Sequence, residues 1–128
     1  MSDPADSPLR ASIGRIEVPA QRPAEVTAFF EQAFGWSSRR VEHPGADYRS
    51  IHPPTGPALG VSASSDDIPQ PLAVLDLHDT PLEEALDRIV ATGGTVDLPP
   101  RRVGAYGRFA RFRDPAGNLF GLWASEDS

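Results

Sequence analysis

The sequence predicts an α+β fold made of two tandem β-α-β-β-β modules, and three observations carry that prediction. Residues 54–64 (PTGPALGVSAS) and 115–125 (PAGNLFGLWAS) share the skeleton P-x-G-x-x-x-G-x-x-A-S, five identities in eleven positions at an offset of 61. An internal copy of that length in 128 residues indicates a duplicated structural unit. Each half also carries one stretch of helical apolar periodicity, and the rest of each half reads as short strands between Pro and Gly turns. A paired-repeat fold of this kind makes a cleft between its halves, and the residues facing that cleft would decide function.

The elements follow in order. Residues 13–20 alternate as a strand, with Ile16 and Val18 on one face and Arg15 and Glu17 on the other. Pro23 suits the first turn of a helix. Val26, Phe29, Phe30, Ala33 and Phe34 then follow at helical spacing, which predicts that this stripe faces the core, and Gly35 ends the helix. Residues 38–41, 47–52 and 58–64 are the next strands. The second half restarts with an apolar strand at 72–77. Thr80-Pro81-Leu82-Glu83 reads as a capping box, and Leu82, Ala85, Leu86, Ile89 and Val90 form the second helical stripe, ended by Gly93-Gly94. Strands at 95–97, 108–113 and 119–124 complete the half. Residues 1–10 are polar and read as a disordered tail. The single domain is expected over residues 11–125, with module one at about 12–64 and module two at about 71–125.

Composition excludes several classes of function. There is no cysteine, so thiol nucleophiles, disulfides and thiolate metal sites are out. All 12 basic residues are arginine, which removes lysine Schiff-base chemistry. A net charge of −6, with acid and arginine intermixed, lacks the basic stripe that nucleic acid requires. No apolar run is long enough to span a membrane and no secretory leader is visible, so a cytoplasmic location is expected.

Glu17-Val18-Pro19, Phe29-Phe30, Phe34-Gly35-Trp36, Gly93-Gly94 and Asp114-Pro115-Ala116-Gly117-Asn118-Leu119-Phe120 together resemble the vicinal oxygen chelate superfamily. That superfamily includes glyoxalase I, bleomycin-resistance proteins and extradiol dioxygenases. The resemblance covers residues 12–125 and implies the glyoxalase/bleomycin-resistance fold, two βαβββ modules forming a curved mixed sheet around a cleft. It also implies dimers, which are common there. Enzymes of the superfamily bind a divalent metal through His, Glu or Gln, with ligands on the first and last strand of each half. Carried over, those positions fall on Gly121, on Gly60 in the internal copy, on Arg15 or Glu17, and on Ala73 or Leu75. At most Glu17 is a ligand, so no metal and no other cofactor is expected. The two glycines are expected to leave space there, and in metal-free members such a cavity holds an organic ligand.

Candidate site residues follow. Arg15 would hold an anion and Glu17 would accept a proton, with a solvated ion pair as the plain alternative. His52, on the face of Tyr48 and Ser50, is a possible acid–base group or an ordinary strand-end residue. His43 and His78 read as loop and helix-entry residues. Trp123 and Phe109, with Tyr48 at the copy position of Phe109, would form apolar walls or pack in the core. Arg111 would add a second cation, and Tyr106 sits in a glycine-flanked loop that could cover a ligand. Trp36 reads as core or dimer interface. The expected function is metal-independent binding of a small organic molecule by a homodimer. The alternatives are a metal-independent isomerase, cyclase or lyase acting on a carbonyl compound, with Glu17 or His52 moving the proton, and an accessory interaction domain.

Overall fold

The computed structural model describes residues 8–42, 47–63 and 70–125. Eight strands and two helices follow in the order β1 (Ala11–Pro19), α1 (Pro23–Phe34), β2 (Ser37–Val41), β3 (Tyr48–His52), β4 (Ala58–Ser62), β5 (Leu72–Leu77), α2 (Leu82–Ala91), β6 (Thr95–Val103), β7 (Gly107–Arg113) and β8 (Leu119–Ser125). The chain divides into two compact units, residues 14–73 and residues 1–13 with 74–128. Each has the connectivity β-α-β-β-β that the duplicated sequence predicts.

In the unit of residues 14–73 the strand order is β2-β3-β4-β1. β1 and β4 run parallel, with Arg15 opposite Ala58 and Glu17 opposite Gly60. β3 pairs antiparallel with β2 and β4, with Tyr48 opposite Ser62 and Ser50 opposite Gly60. Strand alternation thus sends Ile51 and Val61, both fully buried, to the face covered by α1. Arg15, Glu17, Tyr48 and Gly60 share the opposite face.

The first helix corrects the sequence expectation. Its buried residues are Pro23 and Thr27, whereas Phe29 and Phe34 of the expected core stripe are 58% and 56% exposed. Helical periodicity identifies an apolar stripe but not the surface it meets. Here the aromatics pack on one another: Phe30 stacks on Trp36 with centroids 5.6 Å apart, and Phe34 on Trp36 at 5.0 Å. Gly35 closes the helix as expected, at φ 73° with its N–H donating to the Glu31 carbonyl.

In the other unit the order is β6-β7-β8-β5. Its core joins Leu82, Ala85 and Leu86 of α2 to Leu77, Ala110, Phe112, Leu122 and Ala124 of the sheet, with Leu9 packed against them. Two local expectations change. Thr80 makes no cap: the N-cap position is Pro81, without a side-chain cap bond. Strand β6 runs past residue 97 through Pro99 and Pro100 to Val103. Register shifts between Val96 and Leu98 and between Leu98 and Arg101 let prolines sit in this outer strand of its unit. The Asp114–Asn118 turn forms as the sequence predicts, the Asp114 carboxylate accepting from the backbone N–H groups of Ala116 and Asn118 at 2.9 Å.

Candidate functional site

In the unit of residues 14–73, four of the expected site residues come together. The period-two alternation of β1 places Arg15 and Glu17 side by side, and Arg15 Nε donates to Glu17 Oε1 at 2.5 Å. Tyr48, reaching from β3 across β4, donates its hydroxyl to the same oxygen at 3.3 Å. Both ion-pair side chains are largely covered, Arg15 at 25% and Glu17 at 13% exposed. Glu17 Oε2 is engaged by neither donor and lies over Gly60, 3.0 Å from where a Cβ there would sit. Burial pushes the Tyr48 phenol up to about 12, and the negative charge of Glu17 adds to the shift while Arg15 opposes it. Tyr48 is therefore a hydrogen-bond donor at neutral pH.

Gly60 does not leave an open space. A Cβ at this position would run into the Tyr48 hydroxyl and lie 2.8 Å from its Cζ. The other unit repeats the arrangement with different atoms. Gly121 stands opposite Val74 in β5 and Arg111 in β7. A Cβ on Gly121 would meet the Phe109 ring at 2.9 Å and Val74 Cγ2 at 3.0 Å. The expectation that the two glycines vacate room for a ligand is corrected. In each unit the aromatic ring twelve residues earlier takes the room, which is why Tyr48 and Phe109 occupy copy positions. The register also corrects a position: the residue facing Gly121 from β5 is Val74, not Ala73 or Leu75.

The remaining candidates are placed as follows. Phe109 is buried, and Trp123, its register partner, is half-buried with its ring against Gly107. Arg111 is not a spare cation along its whole length, since its Nε donates to Asp97 at 3.0 Å, and Arg113 also approaches Asp97 at 3.3 Å. Tyr106 is 56% exposed in the β6–β7 turn. His52 is exposed at the end of β3 opposite Ser37, about 13 Å along the strand from Tyr48. His78 is held at the entry to α2, its backbone N–H on the Arg10 carbonyl at 2.8 Å and its ring 2.9 Å from the Ser12 hydroxyl. His43 lies outside the described residues.

Of the positions that the resemblance marks for metal donors, Glu17 and Gly60 in one unit offer one carboxylate, of which Arg15 and Tyr48 already share an oxygen, and Val74 and Gly121 in the other offer no donor side chain. Neither pair fits a divalent cation, which takes several oxygen or nitrogen ligands. Two acidic residues escaped the sequence reading, Asp97 and Asp76. Asp76 sits in the apolar run Leu72–Leu77, and a single charge inside such a run was the available signal.

The sequence profile of a glyoxalase-like domain matches residues 15–123. No curated protein sequence matches the chain significantly. Solved structures are similar over most of its length. One from Bacillus halodurans, a hypothetical protein, has a TM-score of 0.70 at 10% identity, covering 92% of this chain and 96% of its own. A Legionella pneumophila structure described as an NAD-dependent benzaldehyde dehydrogenase has a TM-score of 0.63 at 14% identity over 88% of this chain and 98% of its own. Methylmalonyl-CoA epimerase from Mycobacterium tuberculosis has a TM-score of 0.57 at 15% identity, covering 90% and 87%. At these identities the likeness is one of fold.

Proposed function

The chain belongs to the glyoxalase-like domain family, and from that premise we propose that it binds a small organic molecule without the metal that its fold commonly carries. The observation behind this is the pair of glycines capped by aromatic rings. A metal ligand at position 60 or 121 would need both a new side chain and the removal of Tyr48 or Phe109 from its place. The polar cluster of Arg15, Glu17 and Tyr48 would recognise a polar or anionic group. We take the working form to be a homodimer, for which the exposed Phe29 and Phe34 beside stacked Trp36 are the supporting feature. Among the described residues no helix is long and apolar enough to cross a membrane.

Native mass spectrometry of protein purified without chelator or immobilised metal tests the proposal. Two bare chains, or two chains with an organic adduct, is the expected result. A stoichiometric metal ion would overturn it.

A second reading is supported by Glu17 Oε2, the carboxylate oxygen that neither Arg15 nor Tyr48 engages. An ionised carboxylate held by a guanidinium and a phenol is suited to take a proton from a carbon next to a carbonyl, with Arg15 stabilising the developing negative charge. In that case the domain is a metal-independent isomerase, cyclase or lyase. Glu17→Gln separates the readings: turnover of an enzyme falls by roughly 10²-fold or more, whereas a binder loses only modest affinity.

A further inference from the structure

Asp76 and Arg111 have no part in the reading above, and both belong to the unit of residues 74–128. Asp76 is the register partner of Trp123, and Trp123 that of Phe109. Arg111 is the partner of Gly121. Side-chain alternation puts Asp76, Trp123, Phe109 and Arg111 on one face of this unit's sheet. It is the face turned away from α2, because their chain neighbours Leu77, Ala110 and Leu122 pack in the α2 core.

Among the described residues, two buried side-chain atoms lack any hydrogen-bond partner, and both lie on this face: Asp76 Oδ1 and Arg111 Nη1. Arg111 is 12% exposed, and its bond to Asp97 uses Nε, leaving Nη1 unspent. The two orphans are an acceptor and a donor of opposite charge that do not satisfy each other. Two strand spacings across and two residues along set their Cα atoms about 12 Å apart. Between them on β8 stand Trp123, the register partner of Asp76, and Gly121, that of Arg111, with the Phe109 ring against Gly121. A buried polar atom left without a hydrogen bond is unfavourable, and in a native fold it calls for a partner such as a bound water, ion or ligand.

We propose that this face binds an amino-acid-like zwitterion, its amine on Asp76 Oδ1, its carboxylate on Arg111 Nη1 and its apolar part against Phe109 and Trp123. Charged ends are favoured over a neutral amide because charge-assisted hydrogen bonds are roughly twice as strong as neutral ones. The inference rests on the small-molecule-binding reading and narrows its ligand class.

The test titrates the full chain with phenylalanine, hydrocinnamate and phenethylamine by NMR, in wild type, Asp76→Asn and Arg111→Gln, with melting curves for each. Phenylalanine should bind at least about tenfold more tightly than either singly charged compound, the value of one charge-assisted bond. Asp76→Asn should reduce phenylalanine to the hydrocinnamate level and leave hydrocinnamate unchanged. Arg111→Gln should reduce phenylalanine to the phenethylamine level. Asp76→Asn should melt at or above the wild-type temperature, since it removes a carboxylate whose buried oxygen has no hydrogen bond. A clearly lower melting temperature would give Asp76 a structural role and overturn the proposal, as would wild type that shows no preference for phenylalanine. An organic adduct retained equally by wild type and Asp76→Asn would sink this inference and leave the binding reading intact. Absence of both an adduct and any probe binding would sink the two together.

Discussion

The ring of Tyr48 lies over Gly60, so that its hydroxyl and Cζ are the first atoms a side chain at position 60 would meet. The same hydroxyl donates to Glu17, the residue opposite Gly60 in β1. Three strands are thereby tied at one point.

Gly60→Ala should destabilise the protein by about 1–3 kcal/mol, the usual range for overpacking. Tyr48→Phe should lose about 0.5–1.5 kcal/mol with the hydrogen bond to Glu17. The double variant should be less destabilised than the sum, because removing the hydroxyl removes the atom in collision, and coupling of about 0.5–3 kcal/mol is typical of touching residues. Urea unfolding of the four proteins measures the cycle. Strict additivity would mean that Tyr48 does not occupy the space over Gly60.

Tyr48 also sets an alkaline limit. Its phenol is raised from 10.0 to about 12, first by burial and then by the charge of Glu17. A raised folded value contributes stability that is fully present below pH 10 and lost as pH climbs from 10 towards 12. Wild type should therefore lose stability relative to Tyr48→Phe across that window. Phenolate absorbance in the folded protein should show a titration missing from Tyr48→Phe. In Glu17→Gln its midpoint should move down but stay above 10.0, since burial is the larger cause.

Removing one side of the Arg15–Glu17 pair should be worse than removing both. Arg15→Ala leaves a mostly covered carboxylate with only the phenol as partner, at a loss of about 1–3 kcal/mol. Adding Glu17→Gln should recover part of that. Thermal melts of the single and double variants decide it, and a double variant less stable than Arg15→Ala would contradict the geometry.

The Asp114 turn should weaken in acid. The Asn118 side chain, then the backbone N–H groups of Asn118, Ala116 and Gly117, hold the carboxyl below its usual 3.8. A lowered folded value gives stability present above 3.8 that is lost as pH falls through the lower folded value. An NMR titration of the Asp114 carboxyl carbon should have its midpoint below 3.8, and Asn118→Ala should move it upward.

These predictions draw on features of unequal visibility in the sequence. The offset-61 copy exposed the duplication, and it also marked Tyr48 with Phe109 and Gly60 with Gly121 as equivalent pairs. Strand alternation in residues 13–20 put Arg15 and Glu17 on one face, where the structure pairs them. What alternation cannot show is which neighbour fills the space beside a glycine, because that depends on a ring reaching across strands far apart in the chain. The face that α1 turns inward was hidden for a related reason. Pro23 and Thr27 are less apolar than Phe29 and Phe34, yet they lie on the side that meets the sheet. Asp76 passed unnoticed inside an apolar run, and only the register of β5, β8 and β7 brings it to the same face as Arg111.

The aromatic rings over Gly60 and Gly121 also constrain how this domain can change over evolutionary time. A histidine or glutamate arising at position 60 meets Tyr48, and one at 121 meets Phe109 and Val74. Shrinking the aromatic first leaves a hole beside a bare glycine instead. Either order passes through a defective intermediate, and it must be passed once in each half. A metal-ligating side chain at either place therefore takes two coordinated changes and not one.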